Sequence, residues 1–212
     1  MSLAVSGYMK QFYKGNNFGA TVNGRNGQSS RDLFSADIQA IRRAVKELGN
    51  YDYDDGEGGE LMNKVQAFVS TYNNYIDSAK EMDDSNVNRY LSKMKKLTKE
   101  HADELEDIGV TIQSSGKLKV DKKALQDTGR YQVSLLFSKD AEYAQMSDKQ
   151  MRQTYRMYLR NNLNVPKQGQ QARQETGAAS SAAGNSAAAG IGVQSAQQAV
   201  NNFVGSNIDY LL

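Results

Sequence analysis

The carboxylates Asp52, Asp54, Asp55, Glu57 and Glu60 crowd into one short stretch, and oxygen ligands at that density suit a hard cation such as calcium. A helix–loop–helix calcium loop needs glycine at its sixth position, oxygen ligands at the first, third and fifth, and a bidentate glutamate at the twelfth. Placing Gly56 sixth puts Tyr51 and Tyr53 at the first and third positions and Met62 at the twelfth, so only Asp55 fits. The stretch therefore reads as a solvated turn between helices, and no metal is expected. A second charged group, Arg89, Lys93, Lys95, Lys96 and Lys99, has the residue types that meet a phosphate backbone. Glu100, Asp103, Glu104, Glu106 and Asp107 follow at once and cancel the field that nucleic acid would feel. Lys96–Glu100 and Lys99–Asp103 sit at the spacing of ordinary intrahelical pairs. This region reads as a solvated helix face, and nucleic acid is not an expected partner.

The remaining chemistry-bearing types are sparse. The chain has one His and no Cys, which excludes a disulfide scaffold, thiolate zinc sites and a cysteine nucleophile. His101 falls on an apolar stripe between Leu97 and Leu105 and reads as packed. Gly58-Gly59 and the stretch 24–27 lack the spacing of a phosphate-cradling loop. No nucleophile–base pair emerges, so the expectation is a non-enzymatic chain with no cofactor and no small-molecule substrate. The 12 Tyr residues are a mild enrichment. Tyr51, Tyr53, Tyr72 and Tyr75 would suit a half-wet interface. Phe68, Tyr72, Tyr75, Phe203 and Val204 are the candidate interface residues.

The elements that would position these residues are helical. Leu33/Phe34, Ile38, Ile41, Val45 and Leu48 recur at helical steps, with Ser29 or Ser30 as N-cap and Gly49 as the stop. Leu61, Val65, Phe68, Tyr72, Ile76 and Ala79 form a second stripe. After the cap residues 83–85 a third runs through Val87, Leu91, Met94, Leu97, His101, Leu105 and Ile108. Two long helices joined by a short polar turn predict an antiparallel helical hairpin, because neither buries its stripe alone. The period then changes. Val110, Ile112, Leu118 and Val120 alternate about Ser114-Ser115-Gly116, which predicts a small β-hairpin near 110–120. Asp121 can cap a short helix bearing Ala124 and Leu125, residues 133–137 make an apolar patch, and Ser147 could cap a last helix carrying Met151, Tyr155, Tyr158/Leu159 and Leu163.

The ends differ from this middle. Leu, Val, Ile and Phe make up roughly a fifth of the 212 residues, near the level at which chains stop folding, yet the net charge is only +2. The deficit lies in residues 14–30, rich in Gly and Asn, and 167–190, rich in Ala, Gly and Ser. The expected organisation is a flexible leader over 1–30, a helical domain over 31–165, a linker over 166–192 and an amphipathic segment over 193–212. No internal repeat is visible, no apolar run is long enough to span a bilayer, and the N-terminus lacks the pattern of a cleaved signal peptide. The predicted class is mainly α: a coiled-coil-like bundle with a small β-hairpin and flexible termini.

One stretch carries more than periodicity. Leu105, Ile108, Gly109, Val110 and Thr111, then Gly116, Lys117, Leu118, Val120, Asp121 and Leu125, then Val133, Leu136 and Phe137 stand in one order at defined spacing. Upstream, 68–73 reads Phe-Val-x-x-Tyr-Asn, and Asp84, Ser85 and Val87 follow. Over about residues 65–140 this resembles the helical region of the flagellar filament capping protein family. The resemblance implies a structural or assembly role in the bacterial flagellum, with self-association or flagellar axial proteins as partners and secretion without a cleaved signal peptide. The alternative expectation is a cytoplasmic helical adaptor or chaperone-like binding module that docks one protein partner.

Overall fold

The computed structural model describes residues 2–162. The expected linker 166–192 and the segment 193–212, with Phe203 and Val204, lie outside them.

The described chain is mainly helical with one two-stranded sheet, as the stripes predict. It opens with α1 (Leu3–Phe12), a 3-10 turn (Asn17–Ala20) and α2 (Val22–Arg25). The long helices α3 (Ser30–Gly49) and α4 (Gly58–Glu81) form the most extensive pairing, and α5 (Ser85–Glu100) follows α4 after a tight turn. Then come α6 (Ala102–Asp107), β1 (Val110–Ile112), β2 (Leu118–Val120), α7 (Lys122–Asp127), α8 (Arg130–Phe137) and α9 (Glu142–Asn162). α9 packs chiefly on α3 and α5, so the α4–α5 hairpin is one part of a larger bundle. No described helix is long and apolar enough to cross a membrane.

Caps set the helix starts. Ser29 accepts from the Asp32 amide, and Asp84 accepts from the amides of Asn86 and Val87, satisfying donors that the first turn leaves free. The core runs along α3 and α4, where Phe34, Ile38, Ile41, Leu48, Val65, Phe68, Tyr72 and Ile76 are fully enclosed.

Three expectations need correction. The leader over 1–30 is not free of structure: Val5, Met9 and Phe12 step by four and three, face inward from α1 and are buried, and Tyr13 and Ala20 follow them into the core. Val5, Met9 and Phe12 each contribute about 1.5–3 kcal/mol by leaving water. The helix expected to run from Val87 to Ile108 breaks at His101, whose backbone leaves helical geometry at φ −110°, ψ 32°. Ser147 does not cap the last helix; that helix begins at Glu142 and Ser147 lies buried in its interior.

Candidate functional site

The residues of the capping-protein-like stretch fold as one continuous unit. Val110 pairs with Val120 and Ile112 with Leu118 in an antiparallel hairpin. Its inward residues Leu105, Ile108, Leu118, Leu125, Leu136 and Phe137 are buried, while Val120 is half-buried against the core. Asp121 Oδ1 accepts from the amides of Lys123 and Ala124 and so starts α7, the short helix bearing Ala124 and Leu125 that it was expected to cap. The two glycines have backbone reasons. Gly116 closes the hairpin turn at φ +84°, a conformation that side chains disfavour. Gly109 sits at φ +74°, and a Cβ there would lie 2.8 Å from the Ala124 Cβ and the Leu125 nitrogen.

Polar side chains of α4 and α5 pin this unit down. The Asn73 amide stands in for a third strand: its Nδ2 donates to the Leu118 carbonyl at 2.8 Å, and its Oδ1 accepts from the Leu118 amide at 2.8 Å. Those backbone groups lie on the side of β2 away from β1, and a buried edge needs such partners. Lys117 Nζ pairs with Asp77 at 2.7 Å, and Lys95 Nζ donates to the Ser115 carbonyl at 2.9 Å. Asn73 closes the 68–73 motif, so two separated parts of the resemblance meet in a direct contact. Arg130 Nη1 adds a link by donating to the Gly56 carbonyl in the acidic loop.

The candidate interface residues fall elsewhere. Phe68, Tyr72 and Tyr75 are wholly enclosed, so they are core residues and present nothing to a partner. Burial pushes the Tyr72 phenol up to about 12, with the Thr98 hydroxyl opposing, and moves Tyr75 and Tyr143 further in the same direction. Tyr51 and Tyr53 donate to the carbonyls of Glu57 and Leu48, bracing the loop between α3 and α4. Asp52 Oδ1 caps that loop by accepting from the amides of Asp54 and Asp55. His101 is mostly covered and meets Tyr143 edge-on at 5.3 Å.

Sequence reasoning missed a polar cluster under the N-terminal segment. Asp37, on the inward face of α3, is fully buried. Arg25 grips it with both guanidinium nitrogens, Nη1 to Oδ1 at 2.7 Å and Nη2 to Oδ2 at 2.9 Å. Tyr13 donates its hydroxyl to the same Oδ1 at 2.5 Å and accepts from Asn74 Nδ2 at 3.0 Å. Burial disfavours a tyrosinate at Tyr13, and the Asp37 charge pushes its ionisation further up. Burial also disfavours the charged Arg25, but its bonds to Asp37 outweigh that and leave its pKa raised. The available signal was Asp37 itself, a carboxylate flanked by Ala36 and Ile38 on an otherwise apolar stripe. At the other end of α4, Lys64 is buried with its ammonium 5.6 Å from the Tyr8 ring and 5.5 Å from the Tyr51 ring, with Glu60 at 3.1 Å.

At the surface, Tyr131 and Leu135 lie one turn apart on α8 and are 70% and 55% exposed. A cavity of about 440 Å³ opens at the end of the bundle, where α3 and α5 begin, lined by Arg31, Met82, Asp83, Val87 and Met157 among others. Family models, curated proteins and solved structures contain no match to this chain.

Proposed function

We propose that the chain is a non-enzymatic structural or assembly protein of the bacterial flagellum, similar in its helical region to the filament cap, and that it acts by helix–helix association with its own copies or with axial proteins. The observation that carries this reading is the Asn73–Leu118 clamp. It joins the 68–73 and 105–137 parts of the resemblance, which lie far apart in sequence, into one docked unit. The exposed pair Tyr131 and Leu135 on that unit adds an apolar face of the kind that association covers. The same pair would serve the second reading, a cytoplasmic adaptor that docks one partner.

Location and mass separate the two. Fractionation of the native organism should find the chain in culture medium or filament fractions with its N-terminus uncleaved, and the purified protein should associate as concentration rises. A chain confined to the cytoplasm and monomeric at every concentration would end the flagellar reading. An adaptor instead requires one protein recovered in fixed ratio from the cytoplasm.

A further inference from the structure

Charge is spread unevenly over the folded bundle. On α9, Lys149, Arg152, Arg156 and Arg160 recur at steps of three, four and four and are all exposed, so they form one row on the side away from the core. On α3, Arg42, Arg43 and Lys46 stand on the outward side that the apolar stripe leaves uncovered. The two helices pack together, and Arg42 Nε reaches Asp148 of α9 at 3.1 Å, which brings both rows onto one face.

Little on this face opposes the cations. Asp148 lies between the rows and is shared by Arg42 and Arg152. Asp32 and Glu142 sit in the first turns of α3 and α9, and Asp32 accepts from the Ser29 hydroxyl. Among the described residues, Arg43, Lys46, Lys149, Arg156 and Arg160 pair with no carboxylate. Arg43 is held beside Arg42 by bonds to the Phe12 carbonyl and Gln39 Oε1, and burial and the Arg42 charge both lower its pKa. The basic run on α5 is different, because acidic residues follow it at once, and the expectation of no nucleic-acid partner came from that run. Arg42 and Asp148 lie 106 residues apart, so the one-signed face of α3 and α9 exists only in the fold. Like charges gathered this way repel one another, and a polyanion would relieve that cost.

The rest of the face selects the polyanion. Arg supplies five of the seven cations, and its planar fork bonds phosphate oxygens in pairs. The α9 row is about 16 Å long by the helical rise, and a DNA duplex presents about ten charges over that length. Tyr155 and Tyr158 are half-buried and stack on each other at 6.4 Å, so no exposed ring stands among the cations to stack an unpaired base. The exposed large apolar side chains lie on α1, α2 and α8, with Met146 alone on α9, which leaves a membrane little to bury.

We propose that the α3–α9 face binds double-helical DNA through its phosphates, without sequence preference. This activity is independent of the flagellar reading. The full chain is titrated into a fluorescent DNA duplex of about 20 base pairs, with anisotropy read from about 50 to 200 mM salt. Binding should weaken with a log–log salt slope of about −4 to −5, as expected for about five neutralised phosphates. The Lys149→Gln/Arg156→Gln/Arg160→Gln variant changes only exposed side chains; it should lose at least about tenfold in affinity and flatten the slope by about 2–3. Lys93→Gln/Lys96→Gln/Lys99→Gln removes the same charge from α5 and should stay within about twofold of the native chain. On the native chain, bound duplex should protect Lys46 and Lys149 from a short acylating pulse and leave Lys96 reactive. The proposal is overturned by no binding at low salt, by equal losses in the two variants, or by protection of Lys96 instead of Lys149. Tighter binding to single strands, polyglutamate or phosphatidylserine vesicles than to the duplex also overturns it.

Discussion

Asn73 and Asn74 are neighbours on α4, and each holds a different appended piece of chain. Asn73 clamps the β-hairpin through two neutral bonds to the Leu118 backbone. Asn74 donates to Tyr13 and completes a cluster centred on the buried Asp37 and its half-buried partner Arg25. Successive residues on a helix point about 100° apart, so adjacent side chains reach different flanks. The hairpin unit is secured mainly by apolar burial, with polar bonds finishing its edge. The N-terminal segment has fewer enclosed apolar residues, and its fixation depends on a charge pair that exists only while every member is present. Neutral bonds each contribute a modest net amount and fail one at a time. A buried ion pair that loses one partner leaves the other charge stranded.

The comparison is broken most sharply by Asp37→Ala, which strands Arg25 and the Tyr13 hydroxyl. It should cost about 3–5 kcal/mol, read by urea unfolding, with limited proteolysis cutting first within residues 1–27. Next comes Gly109→Ala in the hairpin unit, where a side chain must take positive φ and push into Ala124 and Leu125. A loss of about 2–4 kcal/mol is expected, with hydrogen exchange rising in residues 108–128 while α1 stays protected. Asn73→Ala removes both partners of the Leu118 peptide and should cost about 1–3 kcal/mol, again localised to the hairpin by exchange. Equal loosening of α1 and the hairpin in that variant would show that the two docked pieces are not independent.

Alkali gives the most graded test. Tyr13, Tyr72, Tyr75 and Tyr143 all have raised pKa values. The native state therefore keeps protons that the unfolded chain releases. The stability from these groups is fully present below about pH 10 and is lost as pH climbs through the folded values. Each contributes a decline of about 1.4 kcal/mol per pH unit within its window, which for Tyr72 ends at about 12. Absorbance titration should show exposed phenols ionising first and the buried class appearing together with loss of helical circular dichroism. Tyr13→Phe should remove one phenol from the late class.

The same contrast governs what could be read from sequence. The hairpin was legible because alternation, the glycine turn and the Asp121 cap are local signals, all contained in residues 105–125. α3 and α4 were legible from stripes and from Ser29. The N-terminal segment was not, because its order comes from long-range partners. Val5, Met9 and Phe12 give only a brief stripe, and the Gly- and Asn-rich stretch after them has no period of its own. It folds because Asp37, distant in sequence, waits for Arg25 and Tyr13. The misplacement of Phe68, Tyr72 and Tyr75 at an interface has a related cause. A phenol on a stripe reads alike at a wet edge or a closed core, and only the arrival of α9 decides. The break at His101 left no mark either, since Leu97, Leu105 and Ile108 keep helical spacing across it.

Lys64 turns the docking of α1 into something that can be watched by chemistry. Its amine is held between the rings of Tyr8 and Tyr51, with Glu60 beside it, whereas Lys96 stands 79% exposed. An acylating reagent applied for a short pulse should mark Lys96 quickly and Lys64 slowly. Tyr8 belongs to α1, so any condition that lifts that helix removes one wall of the enclosure. The ratio of label at these two amines, measured by peptide mass spectrometry, would serve as a footprint of the N-terminal segment in the unaltered sequence. Assembled and free forms of the protein could then be compared by the same ratio.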